Sequence, residues 1–138
     1  MFYVGLDLGQ LSDYTALAIL ETPPIADKDR LHRPLQLRHL ERYPLRTPYP
    51  DLCDQVALLM REPRLSVSEF DPSRAKVVRF SPTLVVDSTG VGVAITDLLR
   101  RTGLKFVPVS ITGGDTAHRV KETWRVPKRD LELAPIGE

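Results

Sequence analysis

Two short apolar runs, each of which meets a single aspartate, constrain the fold of this chain most. Residues 2–8 (FYVGLDL) are apolar apart from Asp7, and the apolar run 83–86 ends at Asp87. Runs of this kind are typical of central β-strands. Because an unpaired carboxylate inside a buried strand is costly, we expect a cation or a set of hydrogen-bond donors to meet each aspartate.

Both aspartates fall at the ends of their expected strands. Ligand sites in open sheets gather beyond the carboxyl ends of the strands, so Asp7 and Asp87 would converge there if their strands are neighbours. The alternative for each is a turn aspartate that bonds its own backbone, and Asp87 in front of Ser88-Thr89-Gly90 suits that role. The residues alone leave both interpretations open.

The rest of the pattern predicts a mixed α/β sheet domain with the order β-β-β-α-β-α-β-α. We expect strands at 2–8, 14–21, 35–43, 83–87 and 105–111, and helices that begin near Thr47, Val91 and Pro127. The last helix would run to Ala134 and be short, since Pro135 and Gly137 end it about two turns after Pro127. Residues 62–81 predict a variable surface insertion with a small hairpin.

Length and composition fit one domain that covers residues 1–138. A chain of 138 residues is long enough for one core and too short for two. The single cysteine, Cys53, lies among apolar residues and predicts a buried, inert thiol. We find no leader pattern and no stretch long and apolar enough for a membrane helix, so we expect a cytoplasmic protein.

The last third of the chain is basic, although the net charge is only +1. Residues 100–130 hold eight basic and three acidic residues, a local charge of +5. Such a run forms either a solvated face or a surface that contacts phosphates. Trp124 lies within it and predicts either a core side chain or a platform on which a base stacks. The candidates for nucleic-acid contact are Arg119, Lys121, Arg125, Lys128 and Arg129.

Three segments together resemble the nuclease domain of phage large terminase subunits. GLDLGQLSDYTALAILE resembles its opening, with an aspartate on the first strand, a glycine-containing turn, a second aspartate and a Thr-Ala pair. VVDSTGVGVAITDLLRR resembles its middle motif, in which an acid at a strand end precedes a Gly-x-Gly turn and a helix. VPKRDLEL resembles the start of its last helix, with Asp130 in the place of the third acid.

The resemblance implies a ribonuclease-H-like mixed sheet with helices on both faces, and a two-metal endonuclease that cleaves DNA. In that family the acids hold two Mg²⁺ or Mn²⁺ ions, so Asp7 would be the bridging ligand while Asp87 and Asp130 would each hold one ion. Asp13 would be an outer ligand or a turn-closing residue. Lys128 would steady the attacking water or the phosphate, or remain solvated. The implied partner is DNA, and a packaging role would need a separate ATPase or portal protein.

Two other functions stay open at this point. GLDLG also resembles the first phosphate motif of actin-like sugar kinases and chaperone ATPases, which close two domains of a related fold over ATP. The run from Asp13 to Ala16 fits the terminase pattern better than a turn that cradles a phosphate. The second alternative is a non-catalytic DNA-binding remnant of the nuclease fold, which keeps the basic surface and has lost cleavage.

Overall fold

The computed structural model describes residues 1–10, 12–22, 35–91 and 93–128, and these form a mixed α/β structure with two α-helices. The expected α/β class is confirmed, although the sequence predicts three helices. In chain order the elements are β1 (Phe2–Asp7), β2 (Ala16–Glu21), β3 (Gln36–Arg42), α1 (Tyr49–Met60), a 3-10 helix (Pro63–Leu65), β4 (Val67–Asp71), β5 (Lys76–Phe80), β6 (Thr83–Asp87), α2 (Val93–Arg101), β7 (Val107–Thr112), β8 (His118–Val120) and β9 (Thr123–Pro127).

Seven of these strands form one mixed sheet in the order β3-β2-β1-β6-β7-β9-β8. β1, β2 and β3 are antiparallel neighbours, whereas β6, β7 and β9 run parallel to β1. The strand β8 pairs antiparallel with β9 at one side of the sheet. The carboxyl ends of β1, β6, β7 and β9 therefore meet at one edge, where sheets of this kind bind ligands.

Both helices pack on the same face of the sheet, which we call the helix face. Every second strand residue points to this face, and these apolar side chains are buried against the helices. Cys53 of α1 lies in the same core, as expected, and burial raises the pKa of its thiol. The core includes Val4, Leu6, Leu17, Leu84 and Val86 from the strands, Leu52 and Val56 from α1, and Leu99 from α2.

The helix boundaries follow proline and glycine. α1 carries a proline in its first turn, where the missing N–H has no partner to lose, and it begins at Tyr49 rather than near Thr47. α2 ends at Arg101, and Gly103 follows it with a φ of 80°. The glycine stop expected from the sequence is therefore confirmed, because glycine adopts this left-handed conformation without strain.

Residues 62–81 contain the hairpin that the sequence predicts. β4 and β5 pair antiparallel and form a two-stranded sheet of their own. The side chain of Asp71 closes the turn between them by accepting hydrogen bonds from the backbone N–H and the hydroxyl of Ser73. Phe70 on this hairpin is 64% exposed. The hairpin interrupts the connection from α1 to β6 and leaves the main sheet intact.

The basic segment around Trp124 forms strands, which the sequence pattern does not predict. β8 and β9 are joined by a turn at Lys121, whose φ is 55°, and β9 extends the main sheet by pairing with β7. β8 has only three residues, all exposed. Short, charged edge strands protect a sheet from pairing with another chain. Because such strands are charged, they lack the apolar pattern by which a strand is predicted.

The helix expected from Pro127 begins one residue later, because Lys128 is helical and is the last described residue of the chain. Pro127 is the buried last residue of β9 and pairs with Thr112 of β7. Proline is tolerated there because the hydrogen-bond ladder stops at the end of the strand. The rest of the expected helix, from residue 129 onward, lies outside the described residues.

The opposite face of the sheet, which we call the open face, carries no helix in the described part of the chain. Helices on both faces are therefore not seen among the described residues, and the third expected helix lies outside them from residue 129 onward. The connections from β3 to β6 and from β6 to β7 both join parallel strands and step in the same direction, and right-handed crossovers of that kind place both helices on one face. A shallow cavity of about 310 Å³ lies on the open face, lined by Gly5, Asp7, Ala16, Ala18, Leu40, Val85, Asp87, Val109 and Ile111.

None of the helices in the described ranges is long and apolar enough to cross a membrane.

Candidate metal centre

Asp7 and Asp87 are register partners on two central strands. β1 and β6 are parallel neighbours, and Asp7 and Asp87 form the last residue pair of their ladder. Neighbouring strands lie about 4.8 Å apart, and partners in register carry their side chains on the same face. The two aspartates that the sequence singles out therefore lie side by side on the open face, at the carboxyl edge of the sheet.

A tight loop after β1 places Asp13 close enough for its charge to act on Asp7. The backbone N–H of Asp13 donates to the carbonyl oxygen of Gln10 at 2.9 Å, and the N–H of Gly9 donates to the hydroxyl of Thr15 at 3.1 Å. The loop passes so close to itself that a Cβ at Gly9 would lie 2.3 Å from the carbonyl oxygen of Asp13. Glycine at position 9 is therefore required for this path.

The turn after β6 holds the carboxylate of Asp87. Its Oδ1 accepts hydrogen bonds from the backbone N–H of Thr89 at 2.9 Å and from the Thr89 hydroxyl at 2.5 Å. The same hydroxyl accepts a hydrogen bond from the N–H of Ile111 at 2.8 Å. Asp87 is thus a turn aspartate, as one of the two interpretations has it. This role occupies Oδ1 and orients the carboxylate, while Oδ2 accepts no hydrogen bond from the described residues.

A side-chain bridge joins the two loops that follow Asp7 and Asp87. The Nε2 of Gln10 donates to the carbonyl oxygen of Gly90 at 2.8 Å. The hydroxyl of Tyr49, the first residue of α1, donates to the carbonyl oxygen of Gly9 at 2.7 Å. These two bonds tie the loops to each other and to the helix, so the spacing of the carboxylates is set by a connected network.

The two carboxylates are more accessible than the sequence suggests. Asp7 is exposed and Asp87 is half-buried, because no described helix covers the open face. Of the expected cation or hydrogen-bond donors, Asp87 has donors in the N–H and the hydroxyl of Thr89, whereas Asp7 accepts no hydrogen bond from the described residues. Partial desolvation, then the charge of Asp87 and then that of Asp13 raise the pKa of the Asp7 carboxyl. A bound divalent cation would relieve the repulsion between these charges.

The raised pKa of Asp7 predicts a pH-dependent stability. A carboxyl whose pKa is higher in the folded than in the unfolded state makes the folded state less stable as the pH rises from the ordinary value of 3.8 through the raised value. Without divalent ions at neutral pH, Asp7→Asn should therefore raise the melting temperature by about a few degrees, and the gain should vanish below the ordinary pKa.

Thermal unfolding in EDTA, followed by circular dichroism from about pH 3 to about pH 8, measures this difference. Asp54→Asn is the matched control, because Asp54 is an exposed acid on α1 away from the sheet edge. If Asp7→Asn gains no more stability at neutral pH than Asp54→Asn, the desolvation of the Asp7 charge and its repulsion by the neighbouring acids are refuted together.

The described part of the chain holds no group of three or more His, Cys, Asp or Glu side chains arranged to bind a metal ion. It does bring Asp7, Asp87 and Asp13 into one region. Asp130, the third ligand expected from the resemblance, lies outside the described residues, three positions after Pro127. β9 runs parallel to β7, so β9 ends at the carboxyl edge of the sheet, where Asp7 and Asp87 also lie. Carboxylate oxygens are the donors that Mg²⁺ and Mn²⁺ prefer.

Two of the expected nucleic-acid contacts lie on the open face. Trp124 is the register partner of Val109, which lines the open-face cavity, and Arg119 is in turn the register partner of Trp124. Trp124 is 41% exposed, so the interpretation of this residue as a core side chain is wrong. The open face therefore presents an aromatic ring and a guanidinium beside its acids.

The other basic candidates lie elsewhere. Arg125 is the register partner of Ser110 on the helix face, and it lines a cavity near α2 together with Lys121. Lys128 directly follows β9, at the carboxyl edge. Arg129 lies outside the described residues. The basic run of the sequence is thus divided between two faces and one edge of the sheet.

Three residues of this region have roles in the site that are not assigned from the sequence: Gln10, Arg42 and the hydroxyl of Thr89. Thr89 carries a usable signal, because a hydroxyl two positions after an aspartate at a strand end is typical of a side-chain turn. Gln10 carries none, since its partner Gly90 is distant in the chain. Arg42 also carries none, and its place on the open face follows only from its pairing with Ala16.

Comparison with protein-family models, curated proteins and solved structures finds no match to this chain.

Proposed function

We propose that this chain is a metal-dependent endonuclease with a ribonuclease-H-like fold, similar in its site to the nuclease domain of phage large terminase subunits. The register pair of Asp7 and Asp87 is the observation that carries the proposal. Their two carboxylates share one face at the carboxyl edge of parallel strands, and that face is accessible. A phosphodiester that approaches from solvent can reach both acids.

The element order supports this fold. Without the β4–β5 hairpin, the chain runs β-β-β-α-β-α-β as far as β7, which is the order expected from the resemblance up to its last helix. The sheet grows from β1 in two directions, through β2 to β3 and through β6 to β7. The acids lie where the strand order diverges, the usual place for a ligand in an open sheet.

In this proposal Asp7, Asp87 and Asp130 would hold two Mg²⁺ or Mn²⁺ ions, with Asp7 as a ligand of both and Asp13 as an outer ligand. Ions held there would supply an activated water and would stabilise the leaving oxygen of a phosphodiester. The chain supplies the oriented oxygens: Thr89 fixes the Asp87 carboxylate, and repulsion among the acids favours a cation between them. Lys128 would contact the phosphate at the same edge.

The loop after β1 favours this function over a fragment of an actin-like ATPase. A loop that cradles phosphate needs backbone N–H groups that point toward the ligand. Here the N–H of Gly9 is bonded to Thr15, and the N–H of Asp13 is bonded to Gln10. Both donors are used within the loop, so it lacks two of the groups that a nucleotide would need.

The proposed third ligand can be tested by cleavage. In Mn²⁺, the parent protein should nick supercoiled plasmid DNA, and Asp130→Asn should reduce the rate by roughly 100-fold or more, since even outer partners of a metal site contribute 10- to 100-fold. DNA affinity should be nearly unchanged. Agarose gels and binding titrations measure the two quantities.

Asp115→Asn is the control, because Asp115 lies in the loop between β7 and β8. It should cut at the parental rate. If Asp115→Asn abolishes cleavage and Asp130→Asn does not, Asp130 is the wrong third ligand. A parent protein that binds Mn²⁺ and DNA but never cuts would instead be the DNA-binding remnant.

A further inference from the structure

Four charged residues of the open face lie in one row that runs across the strands of the sheet. They are Asp7, Asp87, Arg42 and Arg119. Asp7 pairs with Asp87, Asp87 with Val109, Val109 with Trp124, and Trp124 with Arg119. In the other direction Asp7 pairs with Ala16, and Ala16 with Arg42. Residues that pair in register share a face, so one line of side chains crosses all seven strands. In sheet order the row is Arg42, Ala16, Asp7, Asp87, Val109, Trp124 and Arg119.

Each end of this row combines an arginine with an aromatic ring. At one end, the guanidinium of Arg42 lies 4.0 Å from the centre of the Tyr14 ring. At the other end, Arg119 and Trp124 are opposite one another on β8 and β9. The two acids lie between these ends, flanked by the small or apolar Ala16 and Val109. Six strand spacings of about 4.8 Å give the row a length of about 29 Å.

The Trp124 end also borders a surface cavity of about 450 Å³. Arg100, Lys105 and Arg119 line it, and Glu122 is the one acid among its lining residues. Arg100, which lies on α2, is paired with Asp97 at 2.9 Å and with Glu122 at 3.3 Å, so Lys105 and Arg119 are the lining cations without a paired acid among the described residues. A phosphate group next to a base that stacks on Trp124 would find cations here.

We propose that this row is a track for an unpaired nucleic-acid strand, which lies across the β-strands with a base stacked on Trp124 and its phosphates near Arg119 and Arg42. This inference rests on the proposed function and names its substrate class: single-stranded DNA, or a locally opened segment of duplex. A strand on this path passes directly over Asp7 and Asp87.

An exposed indole selects for unpaired bases. A base offers its flat face for stacking only when it has left the helix stack, and stacking on an aromatic side chain tolerates every base. A closed duplex would present its phosphates to the arginines and leave the Trp124 ring unused. The apolar side chains of Ala16 and Val109, which flank the two acids, also favour contact with the faces of bases over contact with phosphates.

Tryptophan fluorescence gives a direct readout, because Trp124 is the only tryptophan of the chain. An oligothymidine of about 12 nucleotides, within the range of known single-strand sites, is titrated into the protein in Ca²⁺ to limit cleavage. We expect saturable quenching by the single strand and weaker binding of a duplex of the same length. Tighter binding of the duplex, or no quenching by the single strand, overturns the track.

Variants separate stacking from charge. Trp124→Ala should weaken oligothymidine binding by roughly 5- to 150-fold and Trp124→Phe much less, since stacking of one base is worth about 1–3 kcal/mol. Arg119→Ala should reduce the slope of log K against log salt by about 0.7, the value for one phosphate contact with a single strand. The control Phe70→Ala removes an exposed ring of the β4–β5 hairpin and should change neither quantity.

The outcomes distinguish the track from the nuclease. Saturable quenching of Trp124 fluorescence by oligothymidine, without DNA cleavage in Mn²⁺, supports the track and refutes the proposed nuclease activity. Normal duplex cleavage by Trp124→Ala, with unchanged oligothymidine affinity, keeps the nuclease and removes the track. If the open face is covered by a second copy of the chain or by residues 129–138, oligothymidine will not quench Trp124, and the track is again refuted.

Discussion

Asp7→Asn should abolish metal-dependent cleavage and the stabilisation by metal together. As the bridging ligand, Asp7 would contact both ions, so its loss should slow cleavage by more than the roughly 10- to 100-fold that outer partners contribute. Saturating Mn²⁺ at 100 times its dissociation constant would stabilise the parent by about 2.7 kcal/mol, and the variant should lose most of this gain. Plasmid nicking and thermal unfolding with and without Mn²⁺ measure the two effects.

One control and one further variant accompany Asp7→Asn. Asp54→Asn removes an exposed acid from α1 and should behave like the parent in both measurements. Thr89→Val keeps both acids but removes the hydroxyl that bonds Asp87, and it should reduce cleavage by roughly 10- to 100-fold. An Asp7→Asn protein that retains the full Mn²⁺-induced rise in melting temperature would place the metal elsewhere.

The largest effect on stability is expected from Leu17→Ala. Leu17 lies on the helix face of β2, where none of it is exposed, so its truncation should cost about 2–5 kcal/mol of the free energy of unfolding. Leu40→Ala is a matched control on the neighbouring strand β3. Leu40 lies on the open face and is 67% exposed, so its truncation should cost about 0.5 kcal/mol or less.

Urea unfolding of the two variants measures both free energies, and the comparison tests the one-sided sheet. If Leu40→Ala costs as much as Leu17→Ala, the open face is covered in solution and the nucleic-acid track has no room. If neither costs more than about 1 kcal/mol, the core on the helix face is wrong.

The sequence predicts the strands and helices that have a strong apolar period. β1, β2, β6 and α2 carry runs or spacings that few other structures satisfy, so their positions follow from hydropathy. The positions of β8 and β9 do not follow from hydropathy, because several of their residues are charged. Their place in the sheet depends on the pairing of β9 with β7 and of β8 with β9, which the tertiary structure sets. The sequence also does not predict that one face of the sheet is uncovered, because strands with apolar residues have the same sequence pattern whether or not a helix covers that face.

Some features of the candidate site can likewise be predicted from the sequence, and others cannot. Asp7 and Asp87 can be predicted, because a lone acid at the end of an apolar run stands out in any sequence. Their exposure cannot, because it depends on where the helices pack. The partnership of Arg119 and Trp124 with the acids cannot be predicted either, since it follows from strand order and register across β6, β7, β9 and β8.

In the proposed site, Asp7 and Asp87 together hold a divalent ion. A crystal of the protein soaked in Mn²⁺ locates this ion through the anomalous scattering of the metal. We expect an anomalous peak on the open face, about 2.0–2.3 Å from a carboxylate oxygen of Asp7 and from one of Asp87. Saturating Mn²⁺ that gives no peak between these two carboxylates, or a peak only at other acids, would contradict the proposed site.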